Sequence, residues 1–422
     1  MAWGFSIHAY RRIHLFVDDP EFEVSVVSTH NYKFENAMNI LLTDAKRKNE
    51  TGNSGITQQG RIGEKIKIII GERLGKLITQ IVSVLYRSPL ILPLHIFYDF
   101  YKGIKDIKII KSAVKEFNPD VIFLQTLLYP CYLAYFLPRS LPIMITFWNG
   151  DVVWWAKWNG IERLFKKQIV QYGVRRAQGI TVNSKMAFNA CLGYGATSDK
   201  IHLIPYPGVD LERFRPFSKK EAREKLGITS SKVVLCPRGL GGFLNSDVIV
   251  ESAAAVIKKN PDILFLFISG VGGETELEKH KYIARKLGIE KNFRWDGQVP
   301  WEVMPLYYSS SDVMVSISSN DSLPNCMLEA MACRVPVIMG DIPQIKERVI
   351  DSVNGFLVPP RDPVALSDRI MKVFEDPDGN IKLFAKKNLE LVMHQFDSKK
   401  NVKQVKDLVH LIAKKSLTSK GV

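Results

Sequence analysis

The chain has 422 residues, of which 46% are hydrophobic and 24% charged, a composition that excludes a disordered or fibrous protein and favours two globular domains. Lysine and arginine outnumber aspartate and glutamate by 58 to 43, and the net charge of +15 favours anionic partners such as phosphates, nucleic acid or an acidic membrane. The five cysteines form no C-x-x-C pair, which indicates reduced core residues of a cytosolic protein rather than a disulfide or zinc framework. They are Cys131, Cys191, Cys236, Cys326 and Cys333.

The chain opens on MAWGFSIHAYRRIHLF, which lacks the basic-then-apolar order of a secretory signal. This helix-like stretch precedes the first strong strand pattern, whereas a doubly wound domain usually begins with its central strand. Either the domain starts late or its first strand is missing from the sequence. The polar segment 45–61 is predicted to be a flexible loop. The apolar run 121–137 contains Gln125 and Pro130, so a buried strand followed by a buried helix is a better prediction than a membrane span.

Strand-like apolar runs alternate with helical patterns along the chain. The predicted strands cover 22–29, 120–125, 142–148, 179–183 and 201–205, and then 232–237, 263–269, 292–297, 312–318 and 335–339. This alternation predicts an α/β protein of two doubly wound, Rossmann-like domains with five parallel strands each, facing each other across a cleft that would hold the ligand. The expected domains are 1–208 and 209–395, followed by a C-terminal helix over 396–422.

Two carboxylates flank a short predicted helix in the segment NDSLPNCMLEAMACRVPVIMGD, which covers 320–341. Asp321 lies in the loop before the helix and Glu329 lies near its start. The N–H groups of a helix N-terminus suit a diphosphate, and a carboxylate accepts hydrogen bonds from pairs of hydroxyls. A nucleotide sugar carries both groups. The alternative is an acidic helix cap plus a solvent-facing glutamate, and the residues alone leave the two interpretations open.

The segment from Asp312 to Ile370 resembles the donor-binding segment of the retaining family-four glycosyltransferases of GT-B fold. The resemblance rests on two acids in an E-x7-E spacing and on the runs EAMACRVPVI and NGFLV; RRAQGITVNSKMA and IPYPGVDLERFRP extend it more weakly towards the N-terminus. It implies an acceptor-side N-terminal domain, a nucleotide-sugar-binding C-terminal domain and a closing helix that crosses back to the first domain.

The resemblance also assigns roles to residues of the C-terminal half. Asp321 matches the acid that contacts the transferred sugar, and Glu329 matches the acid that holds the nucleotide ribose. Leu323 and Asn325 lie in the loop whose backbone N–H groups face the diphosphate and sugar, where Pro324 has no N–H to donate. Aspartate in place of glutamate at position 321 shortens the reach by one methylene.

Arg238 follows the strand 232–237 and matches the family's diphosphate-binding arginine. In the family a lysine follows about five residues later, but here the chain has no Lys or Arg between Arg238 and Lys258. The glycine-rich run that begins at Gly239 could compensate by letting backbone amides approach a phosphate. Because side chains supply the charge in GT-B enzymes of this type, the resemblance implies no metal and no cofactor beyond the nucleotide-sugar co-substrate.

The acceptor side is expected near two turns of the N-terminal half. Trp148 and Asp151, in ITFWNGDVVWW, resemble the family's HG-x-D turn, with tryptophan where histidine is commoner. Gly4 and Ser6 lie where the family's glycine-rich acceptor loop would be. Plain aromatic packing at the end of a strand is the competing interpretation of the turn, and it also applies to the tryptophans that follow, which are Trp154, Trp155 and Trp158.

The segment 61–115 carries 11 Lys or Arg against four Asp or Glu, next to aliphatic and aromatic residues. This pattern is typical of a basic surface that docks on an anionic bilayer, and equally of a solvated helix face with a core behind it. Nucleic-acid binding is not expected, because no recognition module is present. We therefore predict a cytoplasmic protein, peripheral on the membrane if this surface docks.

The sequence as a whole predicts an enzyme, a retaining, metal-independent glycosyltransferase acting on a hydroxyl of a lipid-linked or surface glycan, with Arg238, Asp321 and Glu329 at its catalytic centre. Two alternatives stay open. One is a catalytically weak GT-B protein that binds a nucleotide sugar or a partner, and the other is a basic peripheral membrane scaffold.

Overall fold

The computed structural model describes residues 7–28, 34–42, 92–126, 131–148, 152–153, 160–268, 273–376 and 379–419. The described part is an α/β protein, and every strand pairing with a defined register in it is parallel. This confirms the predicted fold class.

In the N-terminal half, the helices are α1 (Ile7–Val17), α2 (Leu92–Phe117), α3 (Gly160–Arg176) and α4 (Lys185–Gly193), and Cys131–Phe136 forms a 3-10 helix. The strands are β1 (Val24–Ser28), β2 (Ala37–Leu41), β3 (Ile122–Leu124), β4 (Ile143–Thr146), β5 (Gly179–Val182) and β6 (Ile201–Leu203). They form two sheets, a pair β1-β2 and a four-stranded sheet in the order β3-β4-β5-β6. Within the apolar run at 121–137, β3 and the 3-10 helix match the predicted strand and helix, and residues 127–130 lie outside the described part of the chain.

The C-terminal half carries six strands and nine helices among its described residues. The strands are β7 (Lys232–Cys236), β8 (Ile263–Phe267), β9 (Phe293–Trp295), β10 (Val313–Ser316), β11 (Val337–Gly340) and β12 (Phe356–Val358). The helices are α5 (Lys219–Leu226), α6 (Ser246–Lys259), α7 (Gly273–Lys286), α8 (Met304–Ser310), α9 (Asn325–Ala332), α10 (Pro343–Lys346), α11 (Pro363–Glu375), α12 (Asn380–Gln395) and α13 (Ser398–Ser419). The sheet order is β12-β11-β10-β7-β8-β9, with the strand order reversing between β7 and β10.

Both faces of this six-stranded sheet are buried, which explains the continuous apolar strands in the sequence. In β7, Val233 and Leu235 pack into one core cluster, whereas Val234 and Cys236 pack into a second cluster on the opposite face. The alternation follows from the two-residue period of a strand.

The prediction of five strands in each half is wrong by one strand in each. It missed β2 and β12. β2 has the sequence AMNIL, and Asn39 folds its side chain back onto the carbonyls of Phe34 and Ala37, a turn feature that masks the strand pattern. β12 has three residues, too few to show any periodicity.

Helix ends in the C-terminal half follow the sequence signals. Asp362 caps α11 by accepting the Ala365 N–H at 2.9 Å, with Pro363 at the first helical position. Ser218 caps α5, which ends at Gly227 in the left-handed conformation.

The chain divides into two compact units. The first unit comprises 1–146, 159–180 and 409–422, and the second comprises 147–158 and 181–408. The domain boundaries proposed from the sequence stay predictions. Within the described residues, no helix combines the length and apolar character that crossing a bilayer requires.

Candidate functional site

The candidate residues of the second unit lie beyond the carboxyl ends of two neighbouring strands. Arg238 comes two residues after β7, and Asp321 lies in the loop that leads from β10 to α9. Because β7 and β10 pair directly, these loops meet at the point where the strand order reverses, which is where open α/β sheets bind ligands.

Arg238 and Asp321 form a hydrogen-bonded ion pair between Nη1 and Oδ2, and their side chains are 27% and 14% exposed. Burial works to lower the pKa of Arg238, but the neighbouring Asp321 carboxylate outweighs it and the pKa lies above its usual value. Among the described residues, Asp321 is the guanidinium's hydrogen-bond partner, so Nε and Nη2 can still donate to a ligand. Helix α9 begins after Pro324 with no side-chain cap, and the interpretation of Asp321 as a helix cap is therefore wrong.

Glu329 is buried at 9% exposure. Its Oε2 accepts the Tyr308 hydroxyl at 2.8 Å and its Oε1 accepts the Trp301 indole N–H at 3.2 Å. Burial, together with the Glu329 charge, raises the pKa of Tyr308 well above its ordinary value, so the phenol keeps its proton and donates. The interpretation of Glu329 as a solvent-facing residue is therefore wrong, because two donors from outside its own helix hold the carboxylate in place.

The two donors are themselves fixed by packing. Arg213 lies over the Trp301 ring with its guanidinium carbon 4.1 Å from the ring centroid, and Phe214 contacts both Trp301 and Tyr308. Because rigid aromatic donors already hold the Glu329 carboxylate in place, it loses little further conformational freedom when a ligand binds.

Cys326 lies among the three candidate residues. Burial raises its pKa to about 12, with Arg238 opposing the shift and the carboxylates of Asp321 and Glu329 adding to it. Arg238 and Asp321 pair in the loop before α9, and Glu329 lies in the second turn of that helix. Cys326 itself is a neutral thiol there and not a nucleophile.

The glycine-rich loop after Arg238 is held by a buried chain of hydrogen bonds. His280 Nδ1 donates to the Glu276 carbonyl at 2.6 Å, and its Nε2 lies 2.8 Å from the Ser246 hydroxyl oxygen, within hydrogen-bond distance. Ser246 Oγ in turn accepts the Gly241 N–H at 2.7 Å. Gly241 has φ of +79°, and a Cβ there would lie 2.6 Å from Glu276 Oε2, so only glycine fits. Gly239, the expected phosphate contact, is buried in the same loop.

The structure adds a cation that the sequence did not predict. Arg361 Nη1 lies 3.3 Å from Asn245 Oδ1 and 3.3 Å from Asp247 Oδ2. Asn245 also donates to the Ile317 carbonyl and to the Ser319 hydroxyl at the end of β10. Arg361 therefore stands beside the region that lacks the expected lysine, where Phe243 is 47% exposed. The sequence did not indicate this contact, because 116 residues separate Arg361 from Asn245.

The loop before α9 is ordered by its own contacts. Ser322 donates its backbone N–H to Asp321 Oδ1 at 2.9 Å and its hydroxyl to Asn183 Oδ1 at 3.0 Å. The Leu323 side chain packs against the core, so only its backbone remains for the role that the sequence suggested. Asn325 is the first residue of α9.

Of the predicted acceptor-side residues, Trp148 is half-buried just after β4. Gly4, Ser6 and Asp151 lie outside the described residues, as do Trp154, Trp155 and Trp158.

Comparison with known families decides the classification. The sequence model described as "Glycosyl transferases group 1" matches residues 218–383, and the one described as "Glycosyltransferase Family 4" matches residues 67–213. The chain belongs to the family-four glycosyltransferases. The candidate residues Arg238, Asp321 and Glu329 fall within the segment matched by the group 1 model.

Curated relatives match less than half of this chain. A D-inositol 3-phosphate glycosyltransferase of Geodermatophilus obscurus is 34% identical over 187 residues, which are 43% of this chain and 41% of the relative. Another of the same name, from Saccharomonospora viridis, is 30% identical over 213 residues, 49% of each chain. The match thus spans about half the length of these relatives.

Solved structures share the fold at low identity. A glycosyltransferase from Rickettsia africae has a TM-score of 0.67 at 16% identity, with 97% of each chain covered. A sucrose-phosphate synthase from Thermosynechococcus elongatus has a TM-score of 0.69 at 17% identity, covering 97% of this chain and 94% of its own. Anabaena HepE, solved in complex with UDP, has a TM-score of 0.62 at 18% identity, covering 72% and 82%. The chain therefore has the GT-B fold of two Rossmann-like domains.

Proposed function

We propose that this protein is a retaining glycosyltransferase that moves a sugar from a nucleoside-diphosphate sugar to an acceptor hydroxyl, without a metal ion. The observation that carries the proposal is the pair of Arg238 and Asp321 in the loops beyond β7 and β10, followed by α9, in which Glu329 is buried and held by Tyr308 and Trp301. A buried, oriented carboxylate next to a guanidinium suits a ligand that carries both a ribose and a diphosphate.

Each residue has a defined task in this scheme. Glu329 accepts hydrogen bonds from the ribose hydroxyls, and Asp321 positions the transferred sugar. Arg238 stabilises the negative charge that develops on the diphosphate as the bond from the anomeric carbon to the phosphate oxygen breaks. The acceptor oxygen bonds to the anomeric carbon on the same face, and its proton passes to the departing phosphate, so no protein base is required.

Nucleotide titration tests the scheme directly. Calorimetry with UDP, GDP and ADP on the wild type should identify one preferred base, and UDP is tested first because HepE was solved with UDP. Glu329→Gln should weaken the binding of that nucleotide at least tenfold. Glu290→Gln is the matched control, since Glu290 is 51% exposed and pairs with Arg285 of α7 rather than with a residue of the site. If no nucleotide binds the folded wild type, the proposal fails.

The second candidate function is that of a nucleotide-sugar-binding protein with weak catalytic activity, for two reasons. Arg238 is already paired with Asp321, and Phe243 stands where a second phosphate-binding cation is expected. A protein that binds the nucleotide sugar at micromolar concentration but releases no sugar product to any glycan acceptor would be a binding protein. Mass spectrometry of reaction mixtures that contain the bound donor and lipid-linked or polymeric acceptors separates the two candidates.

We also propose that the acceptor side docks on an anionic bilayer. In α2, Lys105, Lys108, Lys111 and Lys115 are exposed at spacings of three and four residues, which places them on one helix face, and Ile104 next to them is 44% exposed. The part of the basic segment at 61–91 lies outside the described residues.

Vesicle sedimentation tests this docking. Binding to phosphatidylserine-rich vesicles should fall strongly when Lys105, Lys108 and Lys111 are all changed to Gln, because each basic side chain near an anionic surface adds about 1 kcal/mol of attraction. The control changes Lys382, Lys386 and Lys387 of α12 to Gln. Equal loss in the two triple variants would show that net charge alone attracts the protein.

A further inference from the structure

The turn between β5 and α4 contacts the loop that carries Asp321. Asn183 directly follows β5, and its Oδ1 accepts the Ser322 hydroxyl at 3.0 Å although 139 residues separate the two. Ser322 in turn donates its backbone N–H to Asp321 Oδ1 at 2.9 Å. All three residues belong to the second unit. The backbone of Ser322 thus orients the Asp321 carboxylate, and Asn183 holds the side chain of Ser322.

Glu347 holds the first turn of α4 from outside that helix. Its Oε2 accepts the Lys185 N–H at 2.8 Å and its Oε1 accepts the Met186 N–H at 3.0 Å. The Ala187 N–H, the next in the helix, donates to Oγ of the N-cap residue Ser184 at 3.1 Å. Because the first N–H groups of a helix have no partner within it and carry partial positive charge, a carboxylate at this place is stabilising. Glu347 therefore fixes the turn between β5 and α4.

Glu347 is carried by a loop next to the one that carries Ser322. It ends α10, which follows β11, and β11 pairs with β10. Gln344 of α10 is buried and lies beside the same turn of α4, with its Nε2 3.4 Å from Met186 Sδ. The turn between β5 and α4 is thus contacted by two neighbouring loops, the loop after β10 through Ser322 and the loop after β11 through Glu347.

These contacts form one connected path to the ion pair of the candidate site. The path runs from Glu347 through the first turn of α4 to Asn183, and from there through Ser322 to Asp321. The two carboxylate oxygens of Asp321 have separate partners, since Oδ2 pairs with Arg238 and Oδ1 accepts the Ser322 N–H. Groups held in place before a ligand binds lose less entropy, and a misplacement of about 1 Å can cost about a hundredfold in rate. The path therefore sets the geometry of the loop before α9.

We infer that Asn183 and Glu347 are positioning residues of the donor site. They act through Ser322 rather than by touching the ligand. Together they hold the Asp321 carboxylate, and the backbone of the loop before α9, in the geometry that binds the transferred sugar. The inference rests on the proposed function, because the site that these residues hold is the sugar end of the donor site. It assigns a role in donor binding to the turn between β5 and α4.

A double-mutant cycle on the Asn183–Ser322 hydrogen bond tests the inference by calorimetry. The probe is whichever of UDP-glucose, GDP-mannose and ADP-glucose binds the wild type most tightly, and its nucleoside diphosphate is the comparison. Asn183→Ala and Ser322→Ala should each weaken the nucleotide sugar about threefold to tenfold and leave the affinity for the nucleoside diphosphate nearly unchanged, because the path ends at the sugar. The double variant should lose no more than either single variant, since both break the same hydrogen bond. Ser322→Thr, which keeps the hydroxyl, should recover most of the affinity that Ser322→Ala loses, and Asn189→Ala, at an exposed position of α4, is the matched control.

Amide hydrogen exchange of the unliganded protein tests the other end of the path. Glu347→Gln should speed exchange in peptides that cover 183–188 and also in those that cover 319–325, whereas Glu390→Gln, at an exposed position of α12, should change neither. Unchanged exchange elsewhere in the chain establishes that each variant is folded. Additive losses in the cycle, equal losses for the nucleotide sugar and the nucleoside diphosphate, or faster exchange at 183–188 alone would overturn this inference and leave the proposed function standing. If no nucleotide binds the wild type, the proposed function fails and this inference fails with it.

Discussion

At the scale of single residues, the site depends on how Glu329 is held. Tyr308 and Trp301 reach it from elements that lie 21 and 28 residues earlier in the chain. The sequence could single out Arg238, Asp321 and Glu329 as candidates, because local patterns carry them, and their roles stay predictions. It could not predict the two donors, since aromatic residues at that distance look like core residues until the fold brings them to the carboxylate.

Changing Tyr308 to Phe tests this support. The variant leaves one carboxylate oxygen without its phenolic donor, so we expect nucleotide affinity to fall about threefold to tenfold and the free energy of unfolding to fall by about 1–2 kcal/mol. Tyr307→Phe is the control, because Tyr307 donates to Asp296 and not to Glu329. It should cost stability without changing affinity, as measured by calorimetry and urea unfolding. Similar affinity loss in both variants would show a general packing effect.

Arg361 offers a second residue-scale test, which rests on the proposed function. Arg361→Gln should weaken the binding of a nucleoside diphosphate about threefold to tenfold and leave the binding of the nucleoside unchanged, because the lost group is a cation beside the glycine-rich loop. Phe243→Lys, which restores a lysine at the expected place, should recover the loss in the double variant. Arg369→Gln is the control, as Arg369 pairs with Asp351 away from the site. Equal losses for nucleoside and nucleotide would contradict a phosphate contact.

At the scale of elements, the strands that are continuous apolar runs were predicted best from the sequence. The N-cap of α11 was predicted as well, because Asp-Pro is a local signal. The sequence pattern missed β12, since three residues carry no period, and it missed the anchoring of α5. Asp312, just before β10, accepts from Lys219 Nζ at 2.6 Å, from Arg223 Nη2 at 2.7 Å and from the Val233 N–H at 2.7 Å. One carboxylate thus ties α5, β7 and β10 together.

Asp312→Asn should therefore destabilise the second unit. The amide keeps the shape but loses the charge that serves two cations, and its NH₂ group faces donors, so we expect about 2 kcal/mol of lost unfolding free energy. Asp407→Asn removes one partner of an exposed pair with Lys403 and should cost less than about 1 kcal/mol. Urea unfolding followed by circular dichroism compares them, and equal midpoints would show that the ties of Asp312 contribute nothing measurable.

At the scale of the whole molecule, the buried thiols and phenols make the fold sensitive to alkali. Burial raises the pKa values of Cys326, Cys333 and Tyr307 to about 12. These groups keep their protons in the native state at pH values where the unfolded chain releases them. Their contribution is fully present below the unfolded pKa of each group, near 8.5 for cysteine and 10 for tyrosine, and is lost as pH rises towards 12.

The free energy of unfolding should accordingly fall with pH from about 9 upwards, with a slope of at most about 1.4 kcal/mol per pH unit for each thiol. Urea unfolding at pH 8, 9 and 10 measures the slope in the wild type and in Cys333→Ala. The variant starts less stable because it leaves a cavity, yet its slope should be shallower, since one group that binds its proton more tightly in the folded state is gone. Parallel slopes would mean that the Cys333 thiol titrates alike in the folded and unfolded chains, and the loss of stability in alkali would then have to come from other groups.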